Sequence, residues 1–113
     1  MRAEAEASLA DGVIRYNVPY DFMTNQATGM GAIGPPWSHL TAYDLNTGEI
    51  KWRIANGTTP IDGAPEASGS HMPRGAPLVT ATGLLFVATA QDRMLRAYDT
   101  DSGDVLWSYN LGN

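Results

Sequence analysis

Residues 41–52 read Thr-Ala-Tyr-Asp-Leu-Asn-Thr-Gly-Glu-Ile-Lys-Trp, and residues 96–107 read Arg-Ala-Tyr-Asp-Thr-Asp-Ser-Gly-Asp-Val-Leu-Trp. Five of the twelve positions are identical: Ala, Tyr, Asp, Gly and Trp. Three more are conservative, Thr47/Ser102, Glu49/Asp104 and Ile50/Val105. The second copy starts 55 residues after the first. Each copy has a mechanical reading. Ala-Tyr-Asp ends one strand, and Asp44 or Asp99 accepts hydrogen bonds from turn amides, as Asx residues do. Gly48 or Gly103 supplies the positive φ that a tight hairpin needs. The return strand then carries Trp52 or Trp107 to a fixed position, where a large flat indole suits packing between stacked sheets.

Working outward, the second unit reads as four strands, at 76–80, 84–88, 94–99 and 105–109, joined by short turns at 81–83 and 91–93. The run 84–88 is apolar on both faces and is expected to be covered on both. The first unit is incomplete. It offers strands at 13–18, 40–44 and 50–54, with no innermost strand before Val13. Residues 1–10 read either as a helical turn or as disordered chain. The resulting division is an extension at 1–11, a partial blade at 12–55 with an inserted loop at 20–38, an inter-blade loop at 56–75, and a second blade at 76–113. The repeat is a little longer than the roughly 40–50 residues of a common propeller blade, and the insertion accounts for the excess. In a four-stranded meander, the loop between strands two and three lies on the same edge as the link to the next sheet. Residues 20–39, 55–75 and 91–93 are therefore expected to gather at one face, with the Asp-to-Gly turns at the other.

Composition agrees with one small, turn-rich, all-β unit. The 113 residues are 43% apolar and include twelve glycines and seven prolines. Twelve acids against seven bases give a formal charge of −5, and Lys51 is the sole lysine. Such a chain is a poor nucleic-acid partner, because the phosphate backbone demands clustered Lys and Arg. The absence of cysteine excludes disulfides and thiolate metal sites. The longest clean apolar run, 84–88, is far too short to span a bilayer. Residues 1–6 carry acids where a signal peptide would carry a basic end and then an apolar stretch.

The Ala-Tyr-Asp-x-x-x-Gly-x-x-x-Trp units resemble the tryptophan-docking motifs of quinoproteins, the propeller dehydrogenases that use pyrroloquinoline quinone (PQQ). Gly34-Pro35-Pro36-Trp37, followed by Leu40-Thr41-Ala42-Tyr43-Asp44, is similar to the Pro-Pro-Trp segment of the glucose/quinate dehydrogenase branch. The stretch from Gly75-Ala76-Pro77 to Leu85-Phe86-Val87 is similar to that branch's next blade opening. The resemblance covers about residues 12–112. It implies about two four-stranded antiparallel blades from the C-terminal half of an eight-bladed propeller. It also implies a hydride passed from a sugar or alcohol to the quinone, with an aspartate base and calcium. The base and the calcium ligands are expected in earlier blades, outside this chain. The implied partners are the remaining blades and a quinone or cytochrome electron acceptor, and the implied location is the periplasm. The related glucose enzymes carry a Cys-Asn pair before the prolines, where this chain has Ala32-Ile33-Gly34. The other reading of the repeat is a non-enzymatic propeller of the same type, acting as scaffold or protein-binding module.

Two residues are candidates for cofactor contact and none for catalysis or metal binding. Trp37 lies outside the repeat, after two prolines, on the face where the insertions gather. A rigid aromatic there would cover a planar quinone, or would simply pack its own loop. Arg74, in the other long loop, would meet a cofactor carboxylate or an acidic partner, or remain solvated. Asp44 and Asp99 occupy equivalent repeat positions, which favours turn capping over acid–base work. His39 and His71 lack a third ligand at metal spacing. Residues 29–34 match G-x-G-x-x-G, but prolines follow where a helix must open. Asn56-Gly57-Thr58 is a glycosylation sequon by pattern alone. A pair of blades cut from a ring leaves two outer faces uncovered, so the isolated chain is expected to self-associate.

Overall fold

The computed structural model describes residues 23–71 and 73–112. Among the described residues, six strands form two antiparallel sheets: β1 (His39–Tyr43), β2 (Ile50–Ala55), β3 (Leu78–Val79), β4 (Leu84–Thr89), β5 (Met94–Asp99) and β6 (Val105–Asn110). The first sheet is β1-β2 and the second is the meander β3-β4-β5-β6. No helix occurs among the described residues, so the fold is all-β as the repeat implies. The strand expected at 13–18 and the extension at 1–11 lie outside the described residues.

The repeat is exact at the level of backbone geometry. Ala42 pairs with Trp52 and Tyr43 with Ile50, with a bulge between the two pairs. Ala97 pairs with Trp107 and Tyr98 with Val105, with a bulge at the same place. A bulge re-aims the side chains that follow it, so both indoles are presented alike. The hairpin turns match as well. The Asp44 amide donates to Glu49 O at 2.8 Å and the Gly48 amide to Asp44 O at 2.7 Å. Asp99 and Gly103 make the equivalent bonds at 2.9 Å each. Gly48 and Gly103 sit at φ 76° and 79°, a left-handed conformation that only glycine adopts freely.

The core lies between the sheets. Leu85, Val87 and Tyr98 of the second sheet are buried, and Leu40, Trp52 and Ile54 of the first pack against them. Trp52 clamps the pair. Its indole lies over Gly103, where an added Cβ would stand 2.8 Å from the ring. Its Nε1 donates to Thr100 O at 3.0 Å. Burial of Tyr98 pushes its phenol above the usual range.

One expectation needs correction. The strand expected at 76–80 contracts to Leu78–Val79. Pro77 has no amide to give a ladder. Thr80 is committed to the turn, with its hydroxyl accepting the Leu84 amide at 3.1 Å. Among the described residues the strand at 84–89 is covered on one face, as expected of two blades taken from a ring: Leu85, Val87 and Thr89 are buried, whereas Ala88 is exposed and Leu84 and Phe86 are half-buried. The first sheet covers one side, and the other side looks outward together with β6, which is exposed along its whole length.

Candidate functional site

The long loops meet at the end of the sheets opposite the Asp-to-Gly turns, as the meander requires. The Trp37 amide donates to Ser68 O at 2.7 Å and the Asn56 amide to Ser38 O at 3.0 Å, which ties the first loop to the second. Gln91, in the β4–β5 turn, ties the second loop to the second sheet. Its Oε1 accepts from Thr59 Oγ1 (3.1 Å), Ser70 Oγ (3.0 Å) and the His71 amide (2.8 Å), and its Nε2 meets His71 Nδ1 at 2.9 Å. Thr59, Ser68 and Ser70 are almost fully buried, so these polar groups need such partners. Gly69 fits only because it lacks a side chain: an added Cβ would stand 2.5 Å from Ser38 O. A lone glutamine in a short turn carries no spacing signal, and sequence reasoning missed it.

A second tie is ionic. Arg96 donates to Asp92 Oδ2 at 2.6 Å and to Thr89 Oγ1 at 2.9 Å, and the Thr58 amide donates to Asp92 Oδ2 at 3.0 Å. The Thr89 hydroxyl also donates to Asp92. The pair is largely buried, with side chains 16% (Arg96) and 10% (Asp92) exposed. Burial alone would push the Asp92 carboxyl up. The hydrogen bonds from Arg96 and Thr89, with the guanidinium charge and the Thr58 amide, outweigh it and hold the group below the usual carboxylate range. A depressed carboxyl stabilises the fold above its unfolded pKa, and that contribution is lost as pH falls through the folded value. The stability gap between the parent and Asp92→Asn, measured by urea unfolding, is therefore expected to narrow as pH drops below about 4.

Trp37 is half-buried on this face. Its Nε1 donates to Ile33 O at 2.6 Å. Its ring stands edge-on to His71, with centroids 6.1 Å apart. Met23, Gly31, Ala32, Ile33, Gly34 and Pro36 join these two residues around a pocket of about 350 Å³. Arg74 is exposed and borders a different, larger recess of about 710 Å³, together with Arg93, Ala88, Thr89 and Leu111. The structure thus puts Trp37 and Arg74 in separate pockets and adds Arg93 to the second. Arg93 escaped notice because it lies in a three-residue turn, where it takes φ 54°.

The other candidates have structural settings. Asp99 Oδ1 accepts the Asp101 and Ser102 amides at 2.7 and 3.0 Å, which lowers its pKa, and Asp44 Oδ1 accepts the Asn46 amide at 2.8 Å. Both cap turns. The glycines at 29–34 form a small hairpin closed by the bridge Thr24–Gly31, with no helix following. His39 is exposed at the start of β1 and His71 is held at Gln91. Asn56 is buried, so its sequon has no room for a glycan.

Comparison with known proteins identifies the family. Residues 2–113 match the family described as PQQ: glucose/ethanol/alcohol dehydrogenase, β-propeller domain. The chain is 35% identical over 107 residues to the quinoprotein glucose dehydrogenase of Escherichia coli (strain K12), covering 86% of this chain and 13% of that protein. It is 36% identical over 103 residues to a probable quinate dehydrogenase (quinone) of Xanthomonas campestris pv. juglandis, covering 82% and 13%. It is 35% identical over 92 residues to the glycerol dehydrogenase large subunit of Gluconobacter oxydans (strain 621H), covering 74% and 12%. The chain therefore spans about an eighth of the length of these relatives. No solved structure matches it significantly. The repeated blade geometry and the match along nearly the whole sequence lead to one assignment: the chain belongs to the β-propeller family of PQQ-dependent glucose/ethanol/alcohol dehydrogenases.

Proposed function

We propose that this chain is part of a longer quinoprotein that oxidises a sugar or alcohol, and that it supplies blade scaffold and a section of the cofactor-side rim. When bound, the quinone accepts the hydride. The observation that carries the reading is Trp37, a half-buried indole bordering an open pocket on the loop face. Its N–H is already satisfied by Ile33 O, so the ring can offer an apolar surface to a planar group without stranding a polar one. Ile33, Pro36 and Met23 extend that surface. Arg74 lies three residues beyond His71 and, with Arg93, offers guanidinium groups to cofactor carboxylates or to an acidic partner. The aspartate base and the calcium ligands belong, in this reading, to the rest of the propeller. The same reading places the protein in the periplasm, with a quinone or cytochrome receiving the electrons.

In the full-length protein, Trp37→Ala is expected to weaken PQQ binding about three- to tenfold, the worth of one aromatic contact, with little loss of melting temperature. Trp37→Phe should retain most of the affinity. Unchanged affinity in Trp37→Ala, measured by titrating the apo-protein with PQQ, would remove Trp37 from the site. The 113-residue chain by itself is expected to show no turnover of glucose, quinate or simple alcohols with PQQ and calcium added. Dye reduction above a buffer control would refute this.

A further inference from the structure

The Trp37 indole is gripped from two sides. Its own loop supplies one grip, through Ile33 O and through Gly31, where an added Cβ would stand 2.5 Å from Nε1. The second loop supplies the other. The Trp37 amide donates to Ser68 O at 2.7 Å, and the ring stands edge-on to His71. Residues 68–71 thus form a wall against which the indole is set.

Gln91 holds that wall from the second sheet, although it is not among the residues bordering the Trp37 pocket. A backbone N–H can only donate, so the Gln91 atom 2.8 Å from the His71 amide is the oxygen. Nε2 therefore faces His71 Nδ1 at 2.9 Å and donates to it. Nδ1 accepts, so the neutral ring carries its proton on Nε2. Thr59 extends the hold: its hydroxyl bonds Gln91 Oε1 at 3.1 Å, and its amide donates to Ser68 Oγ at 2.9 Å. The course of the wall has backbone support of its own. The Ser70 amide donates to Asn56 O at 2.6 Å and the Gly69 amide to Gly57 O at 3.1 Å. What Gln91 adds is a grip on the His71 ring, and with it on the side of the wall that the indole meets.

We propose that Gln91 is a positioning residue for the cofactor contact: it sets the His71 ring, the ring sets the angle of the Trp37 indole, and the indole meets the quinone. This rests on the reading of Trp37 given above and extends it to a residue outside the pocket. Contact between an aromatic ring and a planar group depends on their mutual angle, so a tilted indole loses contact even though it is still present. Such support from behind is what holds a binding side chain in its working rotamer.

The test is a double-mutant cycle in the full-length apo-protein, read by titration with PQQ and by melting temperature. Gln91→Met keeps the length of the side chain and loses its hydrogen bonds. It should weaken PQQ binding about three- to tenfold, as loss of the aromatic contact does. In a Trp37→Ala background the same change should weaken binding no further, because a residue that acts only through the indole has nothing left to position. Gln91→Glu keeps an acceptor for Ser70 and the His71 amide, and it accepts from Nδ1 once the ring proton has moved there. It should retain most of the affinity. Gln91→Asn, one methylene too short to reach the same partners, takes the place of Gln91→Met in the cycle if the latter does not fold. Full affinity in Gln91→Met, with Trp37→Ala weakened, would overturn this proposal alone. Equal weakening in both backgrounds would overturn it as well, being the mark of a merely structural loss, and so would a Gln91→Glu variant that binds as weakly as Gln91→Met. Full affinity in both single variants would overturn it together with the quinone reading of Trp37.

Discussion

Asp92→Ala is expected to cost about 3–5 kcal/mol, the usual loss when one partner of a buried ion pair is removed. The carboxylate accepts from Arg96, Thr89 and the Thr58 amide. Its loss leaves a largely buried guanidinium with no counter-charge and removes one of the two ties, the other being Gln91, between the loop at 56–71 and the second sheet. Domains of this size are stable by only about 0.05–0.15 kcal/mol per residue, so the change removes a large part of what holds the fold. The Lys51–Asp101 pair makes the contrast. It is as short, at 2.7 Å, but Asp101 is 88% exposed, and solvent screens it. Asp101→Ala should leave stability essentially unchanged. Urea unfolding of the two variants under conditions where the chain is monomeric checks both. Equal losses would mean that the Asp92 network does not anchor the loops.

Trp52→Ala is expected to cost about 3 kcal/mol, the lower end of the range for a large aromatic because the indole is only half-buried. The contact with Gly103, the bond to Thr100 O and the packing against Leu85, Val87 and Tyr98 go together. Trp107→Ala, at the equivalent repeat position but on the outward face, should cost far less. The difference is read in urea midpoints and in proteolytic cutting at 99–104, which should appear only in Trp52→Ala. Similar losses for both would contradict the assignment of the contact between Trp52 and Gly103 to the packed interface between the two sheets.

Much of this fold is written in local signals. Identical residues at equivalent positions announced two units, and alternation with Gly and Asp punctuation located β4, β5 and β6 to within a residue. What escaped depends on long-range partners. β3 is the exception: it shortens because Pro77 withholds an amide and because Thr80 is committed to the turn through the Leu84 amide. At the candidate site, Trp37 stood out because it broke the repeat. Gln91 and Asp92 did not: Thr59, Ser70 and His71, which Gln91 holds, and Thr58, which Asp92 holds, lie twenty or more residues away, and the nearer partners of Asp92, Thr89 and Arg96, carry no motif. Arg93 carries no signal in a turn where any polar residue fits.

The claim on which the functional account turns is that the loop face, and not the turn face, borders the quinone. Hydrogen exchange of the full-length apo-protein, with and without PQQ and calcium, tests it directly. The account predicts added protection at 31–38, 68–71 and 91–93, with no change in the turns at 44–48 and 99–104. Protection at those turns, or none along the loop face, would contradict it.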